Sequence, residues 1–535
     1  MKKTTSNSIK RNLTMTLSLM MTATMLASCG SGYDGSESRK SGSYNNERTT
    51  AENYRYSNVT AGDTDGTANT GGGYNTEEYN HLTENGYKLV SDEPLSTFST
   101  DVDTASYTNV RRMINDGWEV DPDAVRTEEF INYFKYDYEK PAEGAVSINT
   151  ELSDCPWNSE AKLMLVGLQA REAKVKDVPT NLVFLIDVSG SMEDEDKLPL
   201  VQQAFSMLAE NLGADDRVSI VTYAGSDSVV LEGESGDNSE EIVSALNSLS
   251  AGAAGITTAY KLAEEYFIEG GNNRVILATD GDLNVGLSSE EELTDLISQK
   301  RDSGIYLSVL GFGSGNYKDN RLEALADNGN GNYAYIDSVD EAKRVLVTEM
   351  SGTLFTVAKD AKVQIEFNPE NVSAYRLVGY ENRLLNDEDF EDDTKDAGDI
   401  GSGQQVTVLY EIVPNNGNEK SLKYQDNESK AETNELSGEM LTVSVRYKDP
   451  EASESKLIDK SVMCSDYTEA VSQNFAKACS AAEFAMVLRK SDYASGLTAQ
   501  GVVDYMEQNN VDNSELFELI YKYMQNGTGS EASYW

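Results

Sequence analysis

The run Asn181-Leu182-Val183-Phe184-Leu185-Ile186-Asp187-Val188-Ser189-Gly190-Ser191-Met192 constrains this chain more than any other. Its large apolar residues show no alternation, which reads as a strand buried on both faces in the middle of a parallel sheet. The strand stops abruptly at an acid followed by two hydroxyls on alternate positions, with Gly190 supplying the turn. In open α/β sheets ligands bind beyond the carboxyl ends of the strands, so Asp187, Ser189 and Ser191 fall where a site is expected. One carboxylate and two neutral hydroxyl oxygens suit a small hard cation such as Mg²⁺, with Mn²⁺ or Ca²⁺ as alternatives.

Asp-Val-Ser-Gly-Ser-Met resembles the metal-ion-dependent adhesion site (MIDAS) of von Willebrand factor type A (VWA) domains, an Asp-x-Ser-x-Ser pattern. Short Asp/Ser runs also cap helices. Here the pattern follows a buried strand, precedes a helix at about 197–212, and is answered by Val275-Ile276-Leu277-Ala278-Thr279-Asp280-Gly281, a second apolar strand ending in an acid.

Composition removes several function classes. Lys+Arg number 44 against 91 Asp+Glu, a net charge of -47, which argues against nucleic acid and anionic lipid as direct partners. The one histidine, His81, lies in a polar segment, so a His-dependent triad, a His-based zinc site and a His general base are unavailable to the folded part. Cys29, Cys155, Cys464 and Cys479 match no metal spacing. A Cys464–Cys479 disulfide and unpaired buried thiols are both compatible with them.

In chain order, residues 1–29 carry Lys2, Lys3, Lys10 and Arg11 before an apolar stretch rich in Met and Leu, the form of a secretory signal peptide. It closes in Leu26-Ala27-Ser28-Cys29-Gly30, which looks like a bacterial lipobox. That resemblance implies cleavage before Cys29 and its lipidation (palmitate among the acyl groups), anchoring the mature protein to the cell membrane or outer membrane. An ordinary secreted protein is the alternative. Residues 30–90 hold almost no aliphatics and read as a disordered tether. Residues 91–179 form an N-terminal helical extension and the first strands, with Asp101 and Asp103 as acids suited to a cation or, more commonly, Asp103 or Thr104 as a helix N-cap.

Residues 180–352 alternate strand and helix, with strands at 182–187, 217–224, 275–280, 305–312 and 332–336. This predicts a doubly wound parallel sheet with helices on both faces. Gly311-Phe312-Gly313-Ser314-Gly315 lacks the context of a phosphate loop and reads as a turn. In 353–465 the period becomes two, as in Val363-x-Ile365-x-Phe367 and Val406-x-Val408-x-Tyr410-x-Ile412. With the strands before residue 180 these predict an antiparallel β-sandwich that flanks the α/β domain or into which it is inserted. Residues 466–535 form a C-terminal helical region with apolar stripes through Phe484 and Leu488 and through Leu516, Leu519 and Ile520.

Further blocks, among them Asp154-Cys155-Pro156-Trp157, Gly270-Gly271-Asn272-Asn273-Arg274 and Gly379-Tyr380-Glu381-Asn382-Arg383, resemble one family over about 95–525, the bacterial VWA-domain lipoproteins. The resemblance implies a Rossmann-like VWA fold, Asp187, Ser189 and Ser191 as metal ligands, and Asp280 in the site directly or through water. It also implies an open coordination position for an acidic side chain of an extracytoplasmic protein partner. The family's Gly-Gly-Ser-Thr loop is shortened here: Ser250 takes the Thr position, with Thr257 and Thr258 as alternatives that look to lie inside the next helix. The expected function is that of a non-enzymatic, envelope-anchored binding or adhesion module. The rival is a metal-independent assembly scaffold.

Overall fold

In the computed structural model, residues 76–531 are described, except 101–102, 173–177, 225–226, 251–255, 282–289, 350–351, 353–354, 416–437 and 451. The expectations for the leader, Cys29, Asp101 and the tether up to residue 75 lie outside the described residues.

The chain enters through β1 (Lys88–Leu89), β2 (Leu95–Ser99), α1 (Ala105–Asp116), α2 (Thr127–Tyr133), β3 (Val146–Asp154) and β4 (Lys162–Ala170). The α/β domain follows, with β5 (Thr180–Asp187), α3 (Leu198–Ala209), β6 (Arg217–Tyr223), β7 (Asp227–Ser235), α4 (Ser239–Asn247), α5 (Ile256–Glu265) and β8 (Asn272–Thr279). It is completed by α6 (Glu290–Asp302), β9 (Ile305–Phe312), α7 (Asp319–Asn328), β10 (Tyr333–Ile336) and α8 (Val339–Lys343). Six strands lie in the order β10-β9-β8-β5-β6-β7, parallel except for β7. Leu182, Phe184 and Ile186 pack on one face with Val201, Phe205 and Ile242; Val183 and Leu185 pack on the other with Tyr260, Leu293 and Leu322. That double burial is why β5 has no polar position from Leu182 to Ile186.

β7 departs from the sequence expectation. The strands expected from the sequence do not include it: its residues contain two glutamates and a glycine, and Val229 is exposed, so this edge strand carries no apolar signature.

After the α/β domain come β11 (Thr356–Phe367), β12 (Val372–Val378), β13 (Gly398–Gly401), β14 (Gln405–Pro414), β15 (Glu439–Lys448) and β16 (Lys456–Met463). One sheet runs β1-β12-β14-β4-β3 and the other β13-β11-β15-β16, with β2 also beside β11. Val166 and Val408, cross-strand partners, meet Val363, Ile365, Val443 and Val445 of the facing sheet in one core. Strands from before residue 171 and after residue 355 therefore build a single sandwich, and the α/β domain is inserted between β4 and β11.

The last helices are α9 (Gln473–Arg489), α10 (Ala499–Gln508) and α11 (Ser514–Glu531). Phe484, Leu488, Leu516, Leu519 and Ile520 bury their stripes against Tyr107, Val110, Phe130 and Phe134 of α1 and the α2 segment. Chain ends that the sequence treats separately thus share one helical core.

Three local expectations change. The tether is shorter than residues 30–90: Thr76 N donates to Gly315 O (2.9 Å), buried Glu77 pairs with Arg112 (3.0 Å), and His81 meets Asp123 (2.7 Å). Asp103 does not cap α1; it accepts from Tyr333 N (2.9 Å) and Arg383 (3.2 Å), and Thr104 accepts from Arg344 instead. Cys155, Cys464 and Cys479 are all free, so the Cys464–Cys479 pairing is absent; Cys464 is exposed and the other two are buried. Among the described residues no helix is long and apolar enough to cross a membrane.

Candidate metal site

Asp187 ends the central strand β5 with no solvent exposure. Its Oδ1 accepts from Ser189 N (2.8 Å) and its Oδ2 from Thr279 Oγ1 (3.1 Å). The chain then turns through Gly190, and the Ser189 and Ser191 hydroxyls come within 3.0 Å of each other at the surface. Three oxygens of the motif therefore gather at the carboxyl edge of the sheet. Thr279 joins them; its hydroxyl also accepts from Gly281 N (3.1 Å). The signal that could have found it is its place one residue before Asp280, at the end of the strand beside β5.

Burial pushes the Asp187 carboxyl up to about 6; hydrogen bonds from Ser189 and Thr279 pull against this, and nearby Asp280 adds to it. Among the described residues no lysine or arginine lies within ion-pair reach of Asp187, so a cation there would offset a real desolvation cost.

Asp280 has a different partner. Lys197 Nζ donates to its Oδ2 at 3.0 Å, and both groups are buried. The lysine stem is clamped by the glycine loop after β9: a Cβ on Gly313 would lie 2.3 Å from Lys197 Cε, and Gly313 holds φ +75°. The Tyr335 hydroxyl donates to Gly313 O (2.6 Å) and fixes that loop. Gly311 and Phe312 thus end β9, Gly313–Gly315 make the turn, and that turn holds the Lys197 stem against Asp280.

Family models match the chain along most of the described length. Residues 73–165 match von Willebrand factor, residues 181–347 the von Willebrand factor type A domain, and residues 352–525 the C-terminal part of uncharacterized protein YfbK. Uncharacterized protein YfbK of Escherichia coli (strain K12) is 40% identical over 450 residues, covering 81% of this chain and 78% of that protein. The chain belongs to the YfbK family of VWA-domain proteins. Among solved structures, a von Willebrand factor type A protein from Catenulispora acidiphila is 15% identical, covering 70% of this chain and 89% of that one, TM-score 0.39. Proximal thread matrix protein 1 from the mussel byssus, with a zinc-occupied MIDAS motif, is 21% identical over 32% of this chain and 44% of that one, TM-score 0.27.

Within this VWA domain the expected ligands do not all converge. Asp187, Ser189 and Ser191 are joined by hydrogen bonds, and Asp280 lies close enough to bear on the Asp187 charge. Ser250 is exposed just beyond α4, and among the described residues no hydrogen bond ties it to the other four. Thr257 and Thr258 lie inside α5. The donor set at Asp187 fits a small hard divalent cation: one anionic oxygen from a buried carboxyl and two hydroxyls facing outward.

Proposed function

We propose that this VWA domain holds a divalent cation, Mg²⁺ or one of its relatives Mn²⁺ and Ca²⁺, at Asp187, Ser189 and Ser191, and uses it to capture a carboxylate of a protein partner. The bound ion would supply one coordination position to an acidic side chain. Around it, Asp187 carries the charge, bonds donated by the Ser189 amide and the Thr279 hydroxyl fix the carboxyl, and Ser189 and Ser191 present the outer oxygens. Asp280, neutralised by Lys197, orders the neighbouring edge. The single observation that carries the reading is the buried Asp187 carboxyl, without an ion-pair partner among the described residues, beneath two surface hydroxyls. Lipidation at Cys29 would tether the domain to the cell envelope, and its task would be binding, not catalysis.

One observation favours the metal-independent scaffold instead. Ser250 is not tied to the site, and Lys197 already supplies a fixed positive charge at Asp280. The test is surface plasmon resonance of the immobilised chain against glutamate-bearing peptides and their glutamine counterparts, in Mg²⁺ and then in EDTA. Binding that needs both the glutamate and the metal supports capture through the ion. Binding indifferent to EDTA supports the scaffold.

A further inference from the structure

At the opposite end of β8 from Asp280 lies a polar cleft of about 170 Å³, shared by the α/β domain and the sandwich. Arg274, the third residue of β8, forms part of its wall and is only 2% exposed. Its Nη1 donates to Ser308 Oγ (2.7 Å) and its guanidinium lies 5.6 Å from the Tyr306 ring centre. Its Nε is buried with no hydrogen-bond partner, and among the described residues no carboxylate comes within ion-pair distance. A guanidinium buried without an anion is costly in a folded protein.

Across the cleft, on β13, Asp399 shows the reverse deficit. Its Oδ1 accepts from Asp360 N (3.2 Å), while its Oδ2 is buried and has no hydrogen-bond partner among the described residues. Burial pushes Arg274 down to about 10 against the pull of Tyr306 and Asp399, and pushes Asp399 up to about 7 against the Asp360 amide and the Lys359 charge, so burial outweighs the compensation in both. The other charged walls are already satisfied: Arg383 bonds Asp327 (2.8 Å) and Asp396 bonds Arg301 (2.8 Å). Asn330, Asn332 and Gln404 add amide groups to the wall.

We propose that this cleft binds a small zwitterion of the free amino-acid class, its carboxylate against Arg274 and its ammonium against Asp399. A simple anion would meet Asp399, and a simple cation would meet Arg274. A molecule carrying both charges compensates both side chains at once, and the cleft has room for several water-sized groups. The proposal does not depend on the metal site, which lies past the other end of the same strand.

The test is calorimetric titration of glycine, L-serine, acetate and methylammonium into the full chain at neutral pH. The amino acids should bind at one saturable site, at least about tenfold tighter than either fragment. Asp399→Asn and Arg274→Gln should each weaken that binding by about tenfold or more, while circular dichroism confirms the fold. Acetate or methylammonium binding as tightly as glycine would overturn the zwitterion assignment. So would the absence of saturation by any of the four probes, or binding unchanged by Asp399→Asn. The comparison among probes on the unaltered chain decides the matter even where a variant fails to fold.

Discussion

Asp187 and Lys197 set the behaviour of the site from opposite sides. Asp187 is a carboxyl raised to about 6 with no lysine or arginine in ion-pair reach among the described residues, so the protein without a bound cation gives up stability as pH rises from the ordinary carboxylate range through that value. The sign follows from proton counts, because in that window the folded state binds more protons than the unfolded one. A cation bound at Asp187 as proposed would compete with the same proton, and apparent metal affinity should therefore fall as pH drops below about 6. Lys197 already neutralises Asp280, which limits the field a second cation can feel. Lys197→Met should tighten Mg²⁺ binding by about tenfold, a change of ~1.4 kcal/mol, measured calorimetrically at fixed pH. Unchanged affinity would mean that Asp280 is remote from the ion. Asp187, Ser189, Ser191 and Asp280 were legible in the sequence because strand ends and hydroxyl spacing are local signals. Lys197 was not, since its ion pair with Asp280 is made only in three dimensions, and Thr279, at the end of β8, shows its role only through its bond to Asp187 on the neighbouring strand.

Elements show the same division. β5 and β8 were plain because both faces are buried; β7 was not, because an exposed edge has no apolar signature. The glycine loop after β9 looked like a turn, and it is one, but its clamp on Lys197 is tertiary. Gly313→Ala adds left-handed strain and a clash with the Lys197 stem, and should cost about 1–3 kcal/mol, read as a lowered melting temperature. In α9, burial alone pushes Glu483 up to about 8, and its Oε2 has no hydrogen-bond partner. The unfolded chain ionises Glu483 from about pH 4.5, so this group's destabilisation grows as pH rises to about 8 and then levels off. Glu483→Gln should raise stability most at alkaline pH, by an amount on the order of a few kcal/mol read as a higher melting temperature, and much less in mild acid. A pH-independent effect would assign the gain to packing and not to charge.

On the scale of the molecule, three regions meet around buried Arg126. It bonds Asp319 (2.8 Å) and Glu323 (2.7 Å) on α7, and Glu323 in turn accepts from Arg383 beyond β12 (3.2 Å). N-terminal extension, VWA domain and sandwich are thereby locked through one ionic junction. Arg126→Met strands buried carboxylates, among them Glu129, and should cost about 3–5 kcal/mol in denaturant unfolding. A loss below 1 kcal/mol, roughly a surface pair's worth, would show that the junction adds nothing. The insertion of the VWA domain into a sandwich was foreseen from the change of period at about residue 355. The union of α1 and α2 with α9, α10 and α11 was not, because nothing in an amphipathic stripe names the helix it meets.

The most direct measurement is calorimetric titration of Mg²⁺, Mn²⁺ and Ca²⁺ into the full chain, with Asp187→Ala beside it. Saturable binding at one site, lost in the variant, is the expected result. No binding to the parent, or equal binding to both proteins, would contradict a metal site at Asp187, Ser189 and Ser191.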